Sequence, residues 1–142
     1  MNQVNSRTQE IKAKIQAVDV LFRKASKKID NSILRKKMDD ILTLNSCFLK
    51  DLDDKITIPE LEETKREVET RKHQNRMDGL NEKELLWMCL NNEEELVKLY
   101  QKAISYYQLN KPEDRLFKKQ LYTSLSHFNQ MKMIRESLHY QN

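Results

Sequence analysis

The sequence predicts an all-α protein, a four-helix bundle in one domain, and three observations carry that reading. Glycine occurs once (Gly79) and proline twice (Pro59, Pro112) in 142 residues, too little punctuation for a fold of strands and turns. Apolar residues recur in alternating steps of three and four, the period of a helix with one buried face. Charged residues make up 34% of the chain, with the two signs interspersed as on solvated helix faces. A chain of this length forms one domain and can bury a sizeable core.

The first helix is expected from about Val4 to Ile29, with Ile11, Ile15, Val18, Phe22, Ala25 and Ile29 as its stripe. Asp30-Asn31-Ser32 breaks and recaps the chain. A second helix then runs to about Asp53 on the stripe Leu34, Met38, Ile41, Asn45, Phe48, Leu52. So short a break makes the two helices antiparallel neighbours, a hairpin over residues 4–53.

Residues 54–80 read as a connector. Thr57-Ile58-Pro59-Glu60 has the form of a capping box with proline in the first turn. The following charged stretch offers only Leu61 and Val68 to a core, so an exposed helix held by charge pairs is expected there. Asp78-Gly79 ends it, and Asn81-x-x-Glu84 is a second capping box. It opens a third helix to about Gln108, striped by Leu85, Cys89, Asn92, Leu96, Leu99, Ala103 and Tyr107. Asn110-Lys111-Pro112-Glu113 forms the next turn, and the last helix reaches about Tyr140 on Phe117, Leu121, Ser124, Phe128, Met131 and Leu138. The second hairpin thus covers residues 81–140.

The hairpins align as copies. Val18, Leu21, Phe22, Lys24 and Ala25 superpose on Leu96, Leu99, Tyr100, Lys102 and Ala103, and past the turn Leu34, Arg35, Lys36, Met38 and Leu42 superpose on Phe117, Lys118, Lys119, Leu121 and Leu125. This predicts an internal duplication, the extra residues falling in the second turn, where insertions are cheapest. The connector exceeds what adjacent up-and-down helices need. About 17 helical residues span roughly 26 Å, so a single long, partly helical crossover along the bundle is expected.

The second hairpin carries L-L-W-M-C-L-N-N-E-E-E-L-V-K-L-Y-Q-K-A-I, then P-E-D-R-L-F-K-K-Q-L-Y and F-N-Q-M-K-M-I. Over residues 84–138, and more faintly 11–53, this pattern is similar to a small bacterial family of ferritin-like bundles of uncharacterised function. The resemblance implies a ferritin-like fold. It departs from the wider superfamily where di-iron ligands belong. Such a site takes a glutamate from one helix of each hairpin and Glu-x-x-His from the other. Glu136-x-x-His139 has that spacing, but the second helix contains neither histidine nor glutamate. On an ideal helix Glu136 points about 110° from the centre of its stripe and His139 about 50°. No cofactor is expected; Glu84, Glu136 and His139, with Glu82, are the candidates for a weakly held divalent ion at one bundle end.

Other function classes have less support. There is no Gly-rich phosphate loop. His73 and His127 have no nucleophile or carboxylate at motif spacing and read as solvated surface histidines. Cys47 and Cys89 lack C-x-x-C spacing, which predicts two reduced, semi-buried thiols. No apolar run approaches the roughly 20 residues of a membrane span, and the opening M-N-Q-V-N-S-R-T-Q-E has no signal core; a cytoplasmic protein away from membranes is expected. The net charge of +4 is mild. No aromatic residue interleaves with the basic run, so nucleic acid is not the expected partner.

That basic run, Arg23, Lys24, Lys27, Lys28, Arg35, Lys36 and Lys37, brackets the first turn, while Asp51, Asp53, Asp54, Glu60, Glu62 and Glu63 mark the other end of the hairpin. It suits an acidic partner, or a second copy docked head to tail. Tyr100, Tyr106, Tyr107, Trp87 and Met88 crowd the third helix, with Trp87 and Tyr106 off its stripe; filling the core is the first reading, and seating the connector helix or forming a homodimer or partner face are the alternatives. Asn45 and Asn92 lie on apolar stripes, which leaves two readings: buried amides that fix helix register, or rim positions in water. A buried Asn92 predicts that Asn92→Leu stabilises. The expected protein is a non-enzymatic structural or interaction bundle. The alternatives are a metal-binding or stress-related ferritin-like bundle, and a basic adaptor for an acidic protein or nucleic acid.

Overall fold

A computed structural model describes residues 3–55, 79–107 and 112–139. Four helices account for nearly all of them: α1 (Gln3–Lys28), α2 (Ser32–Lys55), α3 (Glu82–Tyr107) and α4 (Pro112–His139). α1 packs on α2 and α3, and α4 packs on the same two, so the four close a ring around one core. The expected connector helix, its Thr57–Glu60 box with Leu61 and Val68, His73, and the Asn110-Lys111 turn lie outside the described residues.

The helix ends follow the local chemistry. Asn31 caps α2: its Oδ1 accepts from the Leu34 amide at 2.9 Å, and its carbonyl accepts from the Arg35 amide at 3.0 Å. Asn81 and Glu84 form the anticipated reciprocal box at the start of α3, with 2.8 Å from the Glu84 amide to Asn81 Oδ1 and 3.2 Å from the Asn81 amide to Glu84 Oε1. Two residues earlier Gly79 has a φ of 85°, in the left-handed region that only glycine enters without strain.

Most stripe residues face the core as expected. Every α1 and α2 stripe position is buried, as are Leu85, Cys89, Leu96, Ala103, Phe117, Leu121, Phe128 and Met131. Leu99 and Leu138 are only half-buried. Helix pairing is fixed by contacts across the ring. Lys12 pairs with Asp53, and Asn45 Nδ2 donates to Asp19 Oδ1 at 2.9 Å, joining α1 to α2. Lys14 Nζ donates to Asn92 Oδ1 at 2.8 Å, and the Asp30 amide to Glu82 Oε1 at 3.2 Å, joining α1 and the turn after it to α3. Gln120 Nε2 donates to the Phe48 carbonyl at 3.2 Å, and Lys37 to Gln130, joining α2 to α4.

The core has two apolar halves. One, at the α1–α2 turn, holds Phe22, Met38, Ile41, Cys89, Phe128 and Met131. The other holds Ile11, Ile15, Phe48, Leu96, Tyr100 and Phe117. No described helix is long and apolar enough to cross a membrane. Both cysteines are free, but they differ: Cys89 is fully buried, whereas Cys47 is exposed rather than semi-buried.

Candidate functional site

Two places among the described residues concentrate chemistry. The first is the end of the bundle at the α1–α2 turn. Lys27 and Lys28 close the last turn of α1, where cations are favoured by the helix dipole. Arg35 and Lys36 sit in or next to the first turn of α2, where they are not; that turn has no acidic residue, whereas α3 opens with Glu82 and Glu84 and α4 with Glu113 and Asp114. Lys27, Lys28, Arg35 and Lys36 are exposed and make no ion pair among the described residues. Arg23 is exposed and close enough to Asp19 to favour its charge. Lys37 is half-buried and reaches Gln130; burial pulls its pKa down against the opposing pull of Asp40. Within this cluster Ile33 is 67% exposed.

The link between Asp30 and Glu82 sets the start of α3 at the same end. Trp87, 61% exposed, therefore lies little more than one turn from it. Burying Tyr100 and Met88 while exposing Trp87 divides the aromatic-rich stretch of α3 between core and surface. The Tyr106 side chain lies outside the described residues. Of the metal candidates, Glu84 is exposed and occupied in its capping box, Glu136 is exposed, and the His139 side chain lies outside the described residues. Among the described residues no group of three or more His, Cys, Asp or Glu converges as a metal site.

The second place is a polar layer between the two apolar halves, with residues from all four helices. Asn45, Asn92 and Ser124 are all buried there, which selects the seam reading for both asparagines. Asn92 is held by Lys14 and by its own donation to the Met88 carbonyl at 2.8 Å. Lys14 also pairs with Glu95. Asp19 and Glu93 are buried as well. Burial raises the Asp19 carboxyl, while the Asn45 hydrogen bond and Arg23 oppose the rise. Burial first and Asp19 second push the Glu93 carboxyl up to about 8. Burial and then Glu93 raise both Cys89 and Tyr100. His127, only part-buried, is lowered by burial and by Lys37, so its ring is neutral near pH 7.

Lys14, Asp19, Glu93 and Gln120 belong to none of the predicted stripes or candidate sites. A signal for each was present in the spacing. Lys14 lies three residues after Ile11 and four before Val18; Asp19 lies four after Ile15 and three before Phe22. Glu93 lies four after Cys89 and three before Leu96, and Gln120 three after Phe117 and four before Ser124. All four positions share a face with their stripe. A charged or amide side chain at such a position is a buried polar group with a partner to be found. No family model, no curated protein and no solved structure matches this chain.

Proposed function

We propose that this chain is a non-catalytic, ferritin-like helical bundle that binds an acidic protein partner through the end formed by the α1–α2 turn. The observation that carries this reading is the set of exposed cations Lys27, Lys28, Arg35 and Lys36 with no ion pair among the described residues. Arg35 and Lys36 are held against the dipole of their own helix, a local cost that an acidic ligand would offset. Arg23 on α1 is exposed towards the same end, and Ile33, within the cluster, is 67% exposed, which adds apolar area to it; Trp87, on α3, is exposed near that end. Tyr106 belongs to the other end of α3 and has no place in this interface.

The finer topology rests on paired positions. Lys12 with Asp53 and Asp19 with Asn45 support opposed directions for α1 and α2. Lys14 with Asn92 and Asp30 with Glu82 support the same for α1 and α3. Asp53 then lies beside the start of α1 and Glu82 beside its end, as a single long crossover between duplicated antiparallel hairpins requires.

The test is a quantitative affinity purification with wild type and the Lys27→Glu/Lys28→Glu/Arg35→Glu/Lys36→Glu variant, both checked for helicity. Acidic partners whose recovery falls more than about tenfold in the variant, and in wild type as salt is raised, are the expected result. Identical recovery in both would overturn the interface. Stoichiometric iron or manganese in protein purified without chelator would favour the metal-binding alternative, and salt-dependent retention on DNA the nucleic-acid one.

A further inference from the structure

Glu93 stands mid-way along α3 and is 1% exposed, in the gap between the two apolar halves. Its Oε2 has no hydrogen-bond partner among the described residues, and neither have Asn45 Oδ1 and Ser124 Oγ, which α2 and α4 bring to the same gap. A carboxylate so placed has lost its water without gaining enough donors, whereas a neutral carboxyl is tolerated at far lower cost.

The groups around it leave this unchanged. From α1, Asp19 is a second buried carboxyl, and its charge is served by Asn45 Nδ2 and by Arg23. Of the two acids Asp19 is therefore the one placed to ionise, and Glu93 the one placed to keep a proton. Lys14, also from α1, has its ammonium committed to Asn92 and Glu95. α2 brings Asn45 to the layer, while its Lys37 and Asp40 act on His127 instead. α4 brings Ser124, with His127 neutral. On α3 itself Cys89 and Tyr100 are held in their protonated forms.

We propose that a proton on Glu93 is the latch that closes the two hairpins on each other, and that the bundle loosens when rising pH removes it. The inference is independent of the interaction role above. α3 packs on both α1 and α4, so a charge forming at its centre acts across the joint between the hairpins.

An ordinary glutamate releases its proton near 4.5, and Glu93 holds its own to about 8. Across that window the folded chain binds one more proton than the unfolded chain, so stability is highest below it and falls as pH rises. From about pH 6 to pH 7 the folding equilibrium constant drops about ninefold, and from pH 7 to pH 8, as Glu93 nears its own midpoint, about fivefold, roughly 50-fold in all. The Cys89 thiol ionises only above this range, so its contribution stays separate.

Urea unfolding at about pH 6, 7 and 8 tests the latch in wild type and Glu93→Gln, an isosteric amide that cannot ionise. Relative to Glu93→Gln, which shares every other titrating group including the lowered His127, wild type should weaken by the stated factor; parallel profiles would overturn the proposal. Carbon-13 NMR of carboxyl-labelled glutamates in the wild-type protein gives a second readout that needs no variant. The Glu93 signal should titrate several pH units above the other glutamates, and titration together with them would sink the idea. In Asp19→Asn the Glu93 midpoint should move down; an unchanged midpoint would remove Asp19 from the latch.

Discussion

Around the α1–α2 turn the core is filled by Phe22, Met38, Cys89, Phe128 and Met131, an apolar cluster whose Phe128 ring also lies 5.3 Å from Lys132 Nζ. In the other half Tyr100 donates to Gln120 Oε1 at 2.6 Å while Gln120 donates to the Phe48 carbonyl, so three helices are tied by hydrogen bonds inside an otherwise apolar cluster. The first half is adaptable: methionine fills irregular space and tolerates change. The second is directional, because its donors and acceptors are satisfied in only one alignment of the helices. Between them the polar layer separates the two strategies.

The comparison is broken most severely by emptying the apolar half. Phe22 is fully buried, and Phe22→Ala removes a ring that no polar contact compensates. A loss of about 3–5 kcal/mol is expected from denaturant midpoints, toward the lower end if Met38 and Met88 move into the space. A loss below about 1 kcal/mol would mean that this half is not close-packed.

The polar layer gives the next effect, and here the structure reverses the sign expected from sequence. On the stripe alone, Asn92→Leu replaces a buried amide with a better-packing residue and should stabilise. Lys14 changes the outcome. Its buried ammonium donates to Asn92 Oδ1, and the leucine would leave it with Glu95 as its remaining partner. Asn92→Leu should therefore cost about 1–3 kcal/mol, measured by urea unfolding. Adding Lys14→Met should recover much of that loss, because a buried pair replaced on both sides by apolar groups is often neutral. A gain in the single variant would show that Lys14 does not depend on Asn92.

These two substitutions mark how far the sequence could be read. The stripes of α1 and α2 were legible residue by residue, because apolar side chains at helical spacing have one low-energy destination. The Asn81–Glu84 box and the Asn31 break were legible because caps are local. Asn45 and Asn92 were visible as amides on a seam, but their burial was not, since it depends on what the facing helix supplies. Asp19 and Glu93 were harder still. Charged residues at the edge of a stripe usually reach water, and only the ring of neighbours shows that these do not. The exposure of Trp87 follows from the same ring, which turns that face of α3 away from every described helix.

The smallest effect belongs to the directional half. Tyr100→Phe keeps the ring in place and removes only the hydroxyl, so packing is nearly unchanged and Gln120 loses one of its two partners. A single net hydrogen bond is worth about 1 kcal/mol, which in a domain of this size lowers Tm by about 3–4 °C. The more telling readout is order. If Tyr100 and Gln120 align α4 against α2 and α3, amides around Gln120 should lose protection from hydrogen exchange while those around Phe22 keep theirs. Equal loss in both halves would mean that the hydrogen bonds add stability to the whole bundle without setting the alignment of this end.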